Sequence, residues 1–234
     1  MATLYSNQES NVRKTWALMA GFFIVIMFVG WGVSMWYGNP LILYGFVAFS
    51  VLMNIVSYWK SDQIVLKMSG AKPVTRGSHR DLWNVTENLA IASGLPMPKL
   101  YVINDPAPNA FATGRDAQHS AVAVTTGILR ILDRSELEGV IAHELSHIKN
   151  RDILLQTVVV ILVGFVTLIS DFMLRSALYG GGGGGNRDGR ASVIMLVIGI
   201  VLIVLAPIVA SIIQLAISRK REFLADSTGA LMTR

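Results

Sequence analysis

The chain has 234 residues, a length for one or two domains, with 53% hydrophobic and only 15% charged residues. Residues 15–59, 153–170 and 191–218 carry no Asp, Glu, Lys or Arg, and no soluble domain of this size hides three such tracts, so a purely soluble globule is excluded. The net charge is +5, but residues 60–152 are nearly neutral, with 11 Lys/Arg against 10 Asp/Glu. The surplus flanks the apolar tracts at Arg13, Lys14, Arg219, Lys220 and Arg221, a membrane pattern that argues against a nucleic-acid partner.

The first uncharged tract is too long for one bilayer crossing and right for two, since a span needs about 20 apolar residues. Gly38-Asn39-Pro40 is a turn signal that divides it into spans at 16–37 and 41–59, and Trp31, Trp36, Tyr37, Tyr58 and Trp59 lie near the span ends. The apolar run after Arg13 and Lys14 exceeds that of a signal peptide, so a retained hairpin is expected. Residues 153–170 and 191–218 are read as a second hairpin, joined by a loop with six consecutive glycines at 180–185. The placement of positive charge puts both termini and residues 60–152 on the cytoplasmic side, with two short loops outside.

The polar region alternates helical and strand patterns. A helix is expected over 78–93, with Leu82, Val85, Leu89 and Ala92 at helical spacing and Gly94 and Pro96 at its end. Strands are expected at 99–104 and 121–126, with a short edge strand around 110–112 between them. Ser135-x-x-Glu138 fits a capping box opening a further helix.

That helix contains His143-Glu144-Leu145-Ser146-His147. Residues four apart on a helix project from one face, so both imidazoles can bind one metal, while Glu144, about 100° away, can approach a catalytic water without being a ligand. With no cysteine in the chain, any further ligand must be His, Asp or Glu, and no third histidine follows at short spacing. Of the carboxylates beyond Asp152, Asp171 and Asp188 fall in the outside loop, whereas Glu222 and Asp226 return to the motif's side, four residues apart on a helix expected over 219–230. Glu222 is assigned as the third ligand, and Asp226 as the acceptor of a hydrogen bond from a ligand imidazole. His79 and His119 receive no role.

The segments AHELSHIKNRD (142–152), NAFATG (109–114) and REFLADSTGA (221–230) together resemble the HtpX-type membrane metalloproteases, relatives of the CAAX prenyl proteases. The resemblance implies an α+β membrane protein: four transmembrane helices with a zincin-like cytoplasmic protease domain built on the His-Glu-x-x-His helix. The expected divisions are a transmembrane hairpin (1–59), the zincin-like domain (60–152), a second hairpin (153–218) and a cytoplasmic ligand helix (219–234). It further implies one Zn2+ per chain held by His143, His147 and Glu222, Glu144 as catalytic base, and Asn109, Ala110, Phe111 and Ala112 as the edge that pairs with substrate backbone. The implied function is endopeptidase cleavage of membrane or misfolded proteins at the bacterial inner membrane, in stress-linked quality control. Such proteins continue beyond the position of Arg234, so a transition-state-stabilising side chain is expected outside this chain. Two other readings are a zinc-binding scaffold that captures clients without cutting them and a metal transporter. Transport predicts ionisable residues inside the spans, where the most polar side chains are Asn54, Gln156, Gln214 and hydroxyls.

Overall fold

The computed structural model describes residues 4–164 and 219–233. The chain divides into two compact units. Among the described residues, one contains 4–16, Ser57–Val158 and the C-terminal helix; the other contains Ala17–Val56 and 159–164.

In the second unit, α1 (Leu4–Tyr37) and α2 (Pro40–Trp59) run through the first uncharged tract. Glu9–Gly32 and Pro40–Trp59 are long and apolar enough to cross a membrane. Unlike the core helices of a soluble protein, they leave side chains such as Phe28, Leu41, Leu52 and Ile55 exposed. Gly38 takes a left-handed conformation (φ 62°), which a side chain would oppose. The Asn39 side-chain oxygen then accepts the Leu41 N–H at 3.0 Å, and Pro40 occupies the first helical position, where it has no N–H to waste. The helix starts well before the expected 16–37 span, and its first turns belong to the other unit. Of the second hairpin, α7 (Asp152–Gly164) is seen; 165–218, including the 191–218 tract, the glycine run, Asp171 and Asp188, lie outside the described residues.

The first unit is an α+β layer. Strands β1 (Lys72–Pro73), β2 (Lys99–Ile103), β3 (Ala110–Gly114) and β4 (Ser120–Thr125) form a sheet of order β1-β2-β4-β3. β2 and β4 are parallel; the outer pairings are antiparallel. Every residue of β4 is buried, because both faces of this central strand are covered. Val122 and Val124 join a core with Leu82, Val85 and Leu89 of α4 (Arg80–Ser93) and Leu137, Ile141, Leu145 and Ile148 of α6 (Arg134–Lys149). Ala121 and Ala123 face the other way, where their small side chains pack with Leu66 of α3 (Ser61–Met68) and Phe111. A short α5 (Thr126–Ile131) leads into α6. β1, α3 and α5 are not expected from the sequence, whereas α4, β2, β3, β4, α6 and the C-terminal helix lie within a few residues of their expected bounds.

The expected capping box is corrected. Asp133, not Ser135, caps α6: its carboxylate accepts the Glu136 N–H at 2.8 Å, and Glu136 reaches back to the Asp133 N–H at 2.9 Å. Ser135 instead donates to the Asp133 carboxylate. Both Asp133-x-x-Glu136 and Ser135-x-x-Glu138 fit the pattern, and the extended backbone at Asp133 after α5 selects the earlier one.

Candidate active site

α6 reaches the sheet through Leu137, Ile141, Leu145 and Ile148, which leaves His143 and His147 on an adjoining stripe, one turn apart. The C-terminal helix α8 (Arg219–Met232) packs along α6. Its buried stripe is Arg221, Ala225, Thr228 and Met232 at helical spacing. Glu222, Asp226 and Gly229 form the neighbouring stripe. A β-carbon on Gly229 would lie 3.3 Å from the Ala142 carbonyl carbon and the His143 nitrogen, so the two helices meet at backbone distance beside the histidines.

This packing brings His143, His147 and Glu222 together. The two Nε2 atoms are 3.1 Å apart, and the Glu222 Oε2 lies 3.5 Å from His143 and 3.9 Å from His147. His143 Nδ1 lies 2.8 Å from the Asp226 carboxylate, and His147 Nδ1 lies 3.2 Å from that of Asp152. A carboxylate partner makes each Nδ1 the N–H donor and leaves each Nε2 a bare lone pair. With both rings neutral, two nitrogen lone pairs and a carboxylate oxygen therefore converge, which is the donor set of a cation site. A point about 2 Å from all three atoms exists within this triangle, which matches Zn–N and Zn–O distances.

Burial pushes the His147 imidazole toward the neutral form, but the Asp152 hydrogen bond and the charges of Glu144, Asp152 and Glu222 outweigh it and raise its pKa above the ordinary value. Burial raises the Glu144 carboxyl against the two histidines and the Ala112 N–H, which favour its ionised form. Arg221 is buried, and burial lowers its pKa against the attraction of Asp152 and Glu222.

β3 is an edge strand, as expected, though it starts at Ala110, and Asn109 precedes it. Asn109 accepts the Thr125 N–H at 2.9 Å, so by antiparallel alternation the main-chain groups of Ala110 and Ala112 point to the open edge, toward α6. Phe111 turns its side chain to the opposite face. His79 precedes α4 at its N-cap, and His119 pairs with Asp116 in the β3–β4 turn, both away from this cluster.

Three further residues belong to the site that the sequence reading gave no role. Asp152 is fully buried behind His147. It gets there because Arg151 adopts a left-handed conformation (φ 56°) that ends α6 and turns the chain back. Asn11 donates to the Asp152 carboxylate, and Arg221 lies close enough for its charge to act on it. An aspartate five residues after His147 was a visible signal; nothing local marks Asn11.

The profile of peptidase family M48 matches residues 77–234. A protease HtpX homolog of Caldanaerobacter subterraneus subsp. tengcongensis is 48% identical over 236 residues, 99% of this chain and 79% of that protein. One of Thermoanaerobacter pseudethanolicus is 45% identical, with the same coverage of each. The solved structure of S. mikatae Ste24p aligns with a TM-score of 0.49 and 17% identity over 97% of this chain and 56% of its own. A His-Glu-x-x-His helix with a carboxylate brought to it from α8 thus occurs in a chain that belongs to peptidase family M48 and is a metalloprotease of the HtpX type.

Proposed function

We propose that the chain is a zinc-dependent endopeptidase embedded in the bacterial inner membrane, which cleaves membrane or misfolded polypeptides on the cytoplasmic side as part of stress-linked quality control. His143, His147 and Glu222 hold the ion, Asp226 and Asp152 orient the two imidazoles, and Glu144 is the base. The observation that carries this reading is the convergence of two Nε2 lone pairs and one carboxylate oxygen, each imidazole backed by its own carboxylate. When bound, zinc supplies Lewis acidity, polarising the scissile carbonyl and bringing the pKa of a water to about 7. Glu144 takes the proton of the attacking water and passes it to the leaving amine. Its raised pKa suits both halves of that transfer. A substrate strand laid along β3 is held by the main-chain groups of Ala110 and the Ala112 carbonyl, which discriminate little between side chains. The apolar, exposed α1 and α2 support a position at the bilayer and polypeptides presented there.

The test is cleavage of an unfolded protein by the purified chain. A chelator abolishes it and added zinc restores it; Glu144→Gln binds zinc but does not cut. Cleavage by the Gln variant at the wild-type rate rules out Glu144 as base, and cleavage in chelator rules out the metal.

A further inference from the structure

Asp152 uses both carboxylate oxygens: one faces His147 Nδ1 at 3.2 Å, and the other accepts from the Asn11 side-chain amide. Asn11 lies on the N-terminal turns of α1, 141 residues earlier in the chain, and its amide nitrogen also lies 3.3 Å from the Asn150 carbonyl oxygen. An amide NH2 has two hydrogens, so both acceptors on the α6–α7 turn can be served by one side chain. Asn11 is 4% exposed, and Asp152 and Asn150 are fully buried. One turn on, the buried Thr15 hydroxyl donates to the Asn11 carbonyl at 3.0 Å and keeps this face of the helix polar where it meets the turn. Burying an amide costs free energy unless its hydrogen bonds are made, and asparagine is a poor helix former, so this position is held by what it contacts.

Without Asn11, one Asp152 oxygen loses its amide donor in a fully buried site, and the hydrogen bond to His147 loses the second contact that fixes the orientation of the carboxylate. The carboxylate then turns away from His147 and no longer sets its ring. We propose that Asn11 is a positioning residue of the metal centre: from the start of α1 it fixes Asp152, and through Asp152 the ring of His147. The proposal rests on the reading of His147 as a metal ligand. It makes the beginning of the first apolar helix part of the machinery that sets metal affinity.

The experiment measures zinc affinity of the full chain in detergent by competition with a chromogenic chelator, alongside the cobalt(II) absorption spectrum. Partners behind a metal-bound histidine typically change affinity by about 10- to 100-fold, and Asn11→Leu, which keeps the branched shape and removes both donors, is expected to weaken zinc about 10-fold. It is also expected to shift the cobalt bands and to leave KM for a peptide unchanged. Because Asn11 acts through Asp152, its effect is lost in an Asp152→Asn background. A residue that only holds α1 in place changes unfolding but neither the spectrum nor this coupling. Wild-type affinity and spectrum in Asn11→Leu, or losses that simply add, overturn the proposal. If Asn11→Leu does not fold, Asn11→Ser decides by the same coupling, with a loss of about threefold expected and none overturning it. His147→Ala separates the two readings: if that variant binds zinc like wild type, the metal centre itself is misassigned, whereas loss there with no effect at Asn11 removes only Asn11.

Discussion

Gly229 is where the proposed metal site rests on a close contact between two helix backbones. An alanine β-carbon would stand 3.3 Å from the Ala142 carbonyl carbon and the His143 nitrogen and 3.4 Å from the Ala142 oxygen, a few tenths of an ångström too close to rigid backbone. Valine adds two further carbons to that β-carbon, so α8 must shift from α6 by more than the few tenths of an ångström that alanine requires. Glu222 lies two turns away on the same stripe, about 10 Å along the axis, and moves with the helix. Metal and catalytic groups tolerate about 0.5 Å of displacement, and the Glu222 oxygen is already 3.9 Å from His147 Nε2. Overpacking of this kind costs about 1–3 kcal/mol, or roughly 2–12 °C in Tm for a chain of this size. Gly229→Val is therefore expected to lower Tm in chelator by that amount and to weaken zinc binding at least about tenfold, with Gly229→Ala between it and wild type. Thermal unfolding followed by tryptophan fluorescence, with and without zinc, and chelator competition make the two measurements. A valine variant with unchanged Tm and unchanged zinc affinity would refute the close contact between α6 and α8 as the determinant of the site.

The two carboxylates behind the histidines are expected to differ sharply. Asp152 is fully buried, and its removal leaves the buried His147 and Asn11 without their shared carboxylate, costing about 3–5 kcal/mol of stability, whereas removing the 66%-exposed Asp226 costs at most about 1. Equal losses for Asp152→Ala and Asp226→Ala in chemical denaturation would contradict the ranking by burial. Burial raises the Glu144 pKa above its unfolded value, so its favourable contribution is complete below the unfolded pKa and is lost as pH rises through the folded one. The metal-free Glu144→Gln variant is accordingly expected to unfold at a higher temperature than wild type at neutral pH, with the gap closing on acidification; a lower Tm at neutral pH speaks against a destabilising buried charge. The raised His147 pKa makes the proton a competitor for the metal, so apparent zinc affinity is expected to fall with decreasing pH from above the ordinary histidine range. Affinity that stays constant between about pH 6 and 8 excludes that competition.

What the sequence alone makes legible here is local. The charge-free tracts, the Gly38-Asn39-Pro40 turn, the strand expected at 99–104 and the one-face spacing of His143 and His147 all follow from short local patterns, because helix and strand geometry repeat over a few residues. Glu222 and Asp226 are singled out in the sequence for a different reason: with no cysteine and few carboxylates beyond Asp152, the expected chain sidedness leaves little choice. The tertiary structure alone decides the rest. The strand order β1-β2-β4-β3 depends on a parallel pairing that no hairpin signal announces. The true cap of α6 depends on how the chain leaves α5. Asp152 reaches His147 through a left-handed arginine, and Asn11 reaches Asp152 across 141 residues. Such contacts leave no periodic trace, since a buried polar pair is defined by where two distant segments meet and by the water excluded between them.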